Sequence, residues 1–262
     1  MHVTANGIRI RCTAEGEGPW LVMSHSLACD GGMWDAQAAA LRGRFRVLRF
    51  DTRGHGGSSA PAGEYSLRQL ADDLEGLLDA LAIERCTFVG LSMGGMIAMS
   101  HALLQPGRLE RLILCNTTSR IPPEAQPVWQ QRMDTVAAAG MEPMVQLTLE
   151  RWLTAGFRAR CPEVTAAVAG MIRATPPAGY LGCCAAIRGL DLTDRLGAIA
   201  VPTLVIAADQ DVGTPVEAAR AIQLAIPGAQ LAVIPSAAHL SNLEQPALFV
   251  QLVERFVEGV PA

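Results

Sequence analysis

Short apolar runs alternate along the chain with amphipathic segments, so hydrophobic periods near two and near 3.6 succeed one another. Residues 8–13, 20–24, 47–50, 86–89, 112–115, 203–207 and 231–234 read as strands. The clearest helix covers residues 66–82. Ser66 and Gln69 form a capping box there, and Leu67, Leu70, Leu74, Leu77, Leu78 and Leu81 make one apolar stripe with Asp72, Asp73 and Glu75 opposite. Strand and helix in alternation specify an α/β fold, with a mostly parallel sheet of about eight strands covered on both faces. Residues 119–198 break the rhythm: helical patterns follow one another without a convincing strand, punctuated by Pro122, Pro123, Pro127, Pro143, Pro162, Pro176 and Pro177. The expected organisation is a core of residues 1–118 and 199–262 with a helical cap inserted at 119–198.

The run Cys86-Thr87-Phe88-Val89 leads into Gly90-Leu91-Ser92-Met93-Gly94, and a helical segment follows. A serine on a one-residue turn between strand and helix is held in a strained conformation that only small flanking residues permit. Its hydroxyl then stands clear above the strand ends, as a nucleophile needs. The backbone N–H of Met93, at the start of the helix, is placed to donate to an oxyanion. Such a serine needs a base and an orienting acid later in the chain. Asp209 and Asp211 close the strand at 203–207, and Asp211, farther into the loop, is the preferred acid. Thr214-Pro215-Val216-Glu217 then reads as a capping box opening a helix. His239, the last histidine, follows the strand at 231–234. In a parallel sheet these strand ends share one edge, so Ser92, Asp211 and His239 are expected to form a catalytic triad. His25 precedes the serine and breaks the chain order of this arrangement.

With Phe50-Asp51-Thr52-Arg53-Gly54-His55-Gly56-Gly57-Ser58 added to the Ser92 turn, Asp211 and His239, the chain resembles the α/β-hydrolases over nearly its whole length. Within them it is most similar to the 3-oxoadipate enol-lactonases, through Met33-Trp34-Asp35-Ala36-Gln37, Cys115-Asn116-Thr117-Thr118, Arg151-Trp152-Leu153-Thr154 and the stretch Gly179 to Arg188. The resemblance implies a serine hydrolase that opens a small enol-lactone through an acyl-enzyme, in the catabolism of aromatic compounds. It implies that Leu27 supplies the second oxyanion N–H, and that a cation receives the free carboxylate of the lactone. Arg188 is the first choice for that cation, ahead of Arg151 and Arg120, and Trp129 and Trp152 are candidates for the pocket wall. No metal and no organic cofactor is implied. A carboxylesterase or a cofactor-free perhydrolase would use the same triad, and a ligand-binding receptor is the non-enzymatic alternative.

Charge and composition narrow the partners. A net charge of −4 without a basic tract argues against nucleic acid. Half the residues are hydrophobic, yet no apolar run approaches the ~18 residues of a membrane span. The first residues lack the pattern of a secretion signal, and seven cysteines without metal-like spacing read as buried thiols in the cytoplasm. Adjacent Cys183 and Cys184 read as packing residues. The expected partner is a small ester or lactone; the oligomeric state, homo-oligomer included, is left open.

Overall fold

The computed structural model describes residues 1–260. Eight strands, β1 (His2–Ala5), β2 (Ile8–Glu15), β3 (Trp20–Ser24), β4 (Arg46–Phe50), β5 (Cys86–Leu91), β6 (Leu109–Cys115), β7 (Thr203–Ala208) and β8 (Gln230–Ile234), form one sheet in the order β1-β2-β4-β3-β5-β6-β7-β8. The pairings of β2 with β1 and with β4 are antiparallel and the remainder are parallel. Every residue of β5 and β7 is buried, as central strands covered on both faces require. β2, by contrast, alternates buried and exposed positions over its first six residues. The sequence reading assigned no strand to the first residues, although Asn6-Gly7, with φ of 45° and 74°, makes the two-residue turn that pairs β1 with β2.

The core helices are α1 (Asp35–Leu41), α2 (Leu67–Ala80), α3 (Met93–Leu104), α9 (Val216–Ala225), α10 (Ser241–Glu244) and α11 (Pro246–Val257). Ser66 caps α2 by accepting from Gln69 N, and Leu67, Leu70, Leu74, Leu77 and Leu78 are buried along its inner stripe. Between β6 and β7 run α4 (Gln126–Ala139), α5 (Glu142–Trp152), α6 (Ala155–Arg160), α7 (Pro162–Ala174) and α8 (Pro177–Arg188). Among the described residues this stretch contributes no strand to the sheet, only an isolated bridge between Arg120 and Asp191.

The topology selects where chemistry can sit. β3 connects to β4 on one side, whereas β4 connects back across β3 to β5, and the chain then proceeds to β6, β7 and β8. Right-handed crossovers therefore place α1 on one face and α2, α3 and α9 on the other, with α11 packed beside α1. The reversal opens a crevice at the carboxyl ends of β3 and β5, the place where open α/β sheets bind their ligands. Ser24 ends β3 directly opposite Gly90 of β5, so the loop at residues 25–28 and the turn at Ser92 leave the sheet side by side.

Candidate active site

Ser92 alone separates β5 from α3, and it sits at φ 55° and ψ −114°. For a residue with a side chain this conformation costs about 1–3 kcal/mol. The neighbouring glycines make the bend sterically feasible. A methyl group on Gly90 would lie 2.4 Å from the Gly94 backbone, and one on Gly94 would lie 2.2 Å from the Ser24 carbonyl oxygen. Two hydrogen bonds hold the strained peptide: Ser92 N donates to Cys115 O at 2.9 Å, and Thr117 Oγ1 donates to Ser92 O at 2.7 Å. Among the described residues nothing engages Ser92 Oγ, and the residue faces a cavity of about 580 Å³ that His239 and Leu27 also line.

His239 Nδ1 lies 2.8 Å from Asp211 Oδ2. A carboxylate only accepts, so Nδ1 carries the proton and Nε2 is left as the basic nitrogen. Asp211 is buried at 4 % exposure and saturated with donors: Thr214 Oγ1 at 2.6 Å and Asn116 Nδ2 at 3.0 Å on Oδ2, Gly213 N and Thr214 N on Oδ1. Burial pushes its pKa up. His239 and the Thr214 hydrogen bonds more than offset that push and hold the acid well below the usual carboxylate range. Asp209 is exposed, with Oδ1 accepting from Ala237 N.

Two contributors escaped the sequence reading. Thr214 was expected to cap the helix at 216, but its hydroxyl bonds to Asp211 instead, and α9 begins without a side-chain cap. A charge-assisted bond to a buried carboxylate is worth more than a neutral cap. Asn116 stands at the end of β6 with φ 44°, and Ser241 Oγ donates to its Oδ1 at 2.6 Å, which turns Nδ2 toward Asp211. An asparagine after an apolar strand, tolerant of positive φ, was the available signal.

The loop beside the serine is braced by two buried histidines. His25 Nε2 accepts from Thr52 N and its Nδ1 meets Ser26 O; His55 Nε2 accepts from Ala28 N at 2.9 Å. Burial lowers both pKa values, to about 3 for His55, where His25 adds a smaller push in the same direction, so both rings are neutral scaffolding. Among the described residues no group takes up the Leu27 N–H, while Met93 opens α3, where an N–H has no partner one turn back.

The inserted helices supply Trp129, Arg132, Arg151 and Trp152 to the cavity wall. Trp152 stacks on His239, ring centroids 5.7 Å apart and planes at 30°. Arg132 lies over the Trp129 ring at 5.1 Å. Arg188, the arginine preferred from sequence, is off this wall: Nε and Nη1 reach Gln126 Oε1 and Gln130 Oε1 at 3.1 and 2.7 Å. Helical spacing brings those glutamines of α4 within its reach and spends its donors there. Arg120 lines the cavity but is ion-paired to Asp191 and Asp194. Arg151 has no ion-pair partner among the described residues, and desolvation, then nearby Arg132, lower its pKa.

A strained serine, a carboxylate-bound histidine, a loop amide and the first amide of a helix gather at the topological switch point of this sheet. The family model for the alpha/beta hydrolase fold matches residues 19–246, and the chain belongs to that family. Within it the chain is similar to 3-oxoadipate enol-lactonase 2 of Acinetobacter baylyi, 37 % identical over 96 % of this chain and 94 % of that protein. The enol-lactonase structure from Burkholderia xenovorans LB400 superposes with a TM-score of 0.95 at 39 % identity, covering 98 % of this chain and all of the other. A thermophilic esterase from Thermogutta terrifontis, solved with malate bound, matches over the whole of both chains at 31 % identity and a TM-score of 0.94.

Proposed function

We propose that this protein is a serine hydrolase that opens a small lactone carrying a free carboxylate, of the 3-oxoadipate enol-lactone kind, in the breakdown of aromatic compounds. The observation that carries the reading is one cavity lined by Ser92, by His239, whose Nδ1 is bound to Asp211, and by Arg151, a guanidinium in no ion-pair contact among the described residues. Ser92 Oγ attacks the ring carbonyl as its proton passes to His239 Nε2, and the oxyanion is held by the Leu27 and Met93 amides. The ring C–O bond breaks, the enol oxygen leaves and takes up the proton, and the acyl group remains on Ser92. Water, deprotonated by His239, then releases the acid. Residues 119–198 act as the cap over this chemistry, with Trp129 and Trp152 as walls and Arg151, backed by Arg132, as the carboxylate receiver. Seven free thiols accord with a cytoplasmic setting. Among the described residues no helix is long and apolar enough to cross a membrane.

A neutral-ester reading rests on Val128 and Val212, which are exposed and border the same cavity. Side-by-side turnover of the enol-lactone and its methyl ester separates the two. The lactonase reading expects kcat/KM at least tenfold higher for the free acid; equal turnover, or preference for the methyl ester, overturns it.

A further inference from the structure

Arg151 and Trp152 are consecutive at the end of α5, and Trp152 is fixed twice over the catalytic loop. Its ring stacks on His239, and its carbonyl accepts from Leu240 N at 3.1 Å. The guanidinium of Arg151 stands near the Asp211–His239 pair, across the open space at Gly213. A methyl group on Gly213 would lie 3.7 Å from Arg151 Nη2, 3.9 Å from His239 Nδ1 and 3.3 Å from Asp211 Oδ1. The cation and the imidazole are thus no more than about 8 Å apart. An ionised group facing a catalytic base at that range acts on the charge the base acquires, whatever else it binds.

We propose that Arg151 couples the charge of the substrate to the strength of the catalytic base. In the empty site its positive charge opposes formation of the His239 imidazolium, and a substrate carboxylate docked on the guanidinium cancels that opposition. The inference rests on the reading of Arg151 as the carboxylate receiver and extends it from binding to the chemical step. The other groups facing His239 do not supply this effect. Asp211 is a permanent partner, and Thr214, Trp152 and Ser92 carry no charge. Glu244 is turned to the Ala238 and Thr154 donors, and Arg132, near Arg151 on the same cavity wall, lies over the Trp129 ring. The arrangement gives a charged substrate a gain in kcat as well as in KM, because the imidazolium forms only as Ser92 is deprotonated.

The test uses the full-length protein and two chromogenic esters, mono-4-nitrophenyl glutarate and its methyl ester. With the wild-type protein, the acid limb of the kcat profile for the glutarate is expected about 0.5–1 pH unit above that of kcat/KM, and no such gap is expected for the methyl ester. This comparison needs no variant. With the methyl ester, Arg151→Gln is expected to move the kcat/KM acid limb upward by the same amount, and Arg151→Lys to leave it at the wild-type position. An acid limb unmoved by Arg151→Gln, with KM raised only for the glutarate, overturns the coupling and leaves the lactonase reading standing. An acid limb that moves in Arg151→Gln, in a protein that shows neither the kcat gap for the glutarate nor a preference for the free acid, overturns the coupling and the lactonase reading together.

Discussion

Thr154, ahead of α6, is clasped by Glu244 of α10: its hydroxyl donates to Oε2 at 2.6 Å and its N–H is shared between both carboxylate oxygens at 3.2 Å. The same carboxylate accepts from Ala238 N at 2.8 Å, one residue before His239. One buried side chain therefore ties the start of α6 to the loop that carries His239, and Trp152, two residues before Thr154, stacks on His239, one residue after Ala238.

Replacing Glu244 by Gln sets an amide NH₂ among three donors where a carboxylate accepted. We expect a loss of about 2 kcal/mol in stability, read from the urea midpoint, because buried donors are left unpaired. Turnover is expected to fall about tenfold as the His239 loop and Trp152 loosen. Thr154→Val removes one donor and keeps the shape, so about 1 kcal/mol is the expected cost. Full activity in Glu244→Gln would show that the clasp has no part in holding the base.

Asp211 orients His239 and is itself oriented by Thr214, Asn116 and the Gly213 amide. Asp211→Asn leaves one atom that can accept and presents a donor to the ring, which favours the wrong imidazole tautomer. A fall of about 10⁴ in kcat with little change in KM is expected from steady-state kinetics on an activated ester. An equally large loss in Asp209→Asn would move the acid to the other aspartate.

Periodicity was enough for most of the scaffold because sheet strands and the α2 stripe are written in local hydrophobic patterns. The Ser92 turn was legible for the same reason: Gly90 and Gly94 are needed within two residues of it. What resisted was whatever depends on distant partners. Arg188 and Arg151 are both helix-borne arginines in sequence. Only the fold shows that Gln126 and Gln130 occupy the first while the second stands across Gly213 from the Asp211–His239 pair. Thr214 was misread for a related reason, since its hydroxyl had two local uses and a carboxylate three residues earlier took it. Glu244 carries no local signal at all, because its donors come from Thr154 and Ala238.

The two buried histidines make the fold sensitive to mild acid. His25 and His55 are held neutral in the folded protein by burial, His55 with a pKa of about 3, whereas in the unfolded chain both protonate near pH 6.5. Between those values the unfolded state binds more protons, so stability is full above about pH 7 and declines as pH falls. His55 alone accounts for about 2 kcal/mol between pH 6.5 and 4.5. Denaturation midpoints across that window should show His55→Gln losing the corresponding part of the slope, while Ala28 N keeps an acceptor. A variant with the wild-type slope would assign the acid sensitivity to other groups.

The backbone at Ser92 is strained, and on the proposed reading the strain serves the reaction rather than the fold. At φ 55° and ψ −114° a side chain is strained by about 1–3 kcal/mol, while glycine adopts positive φ without that penalty. Ser92→Gly relieves the strain and costs at most about 1 kcal/mol in unfolded-state entropy, so a net gain of about 1 kcal/mol is expected. Ser92→Ala loses the hydroxyl but keeps the Cβ, and should match the wild type to within about 0.5 kcal/mol. Both variants should fail to react with a fluorophosphonate and show no burst with an activated ester. Thermal unfolding of the three proteins side by side makes the comparison. A Ser92→Gly protein no more stable than Ser92→Ala would mean that the bend is relaxed, and that the nucleophile is presented without stored strain.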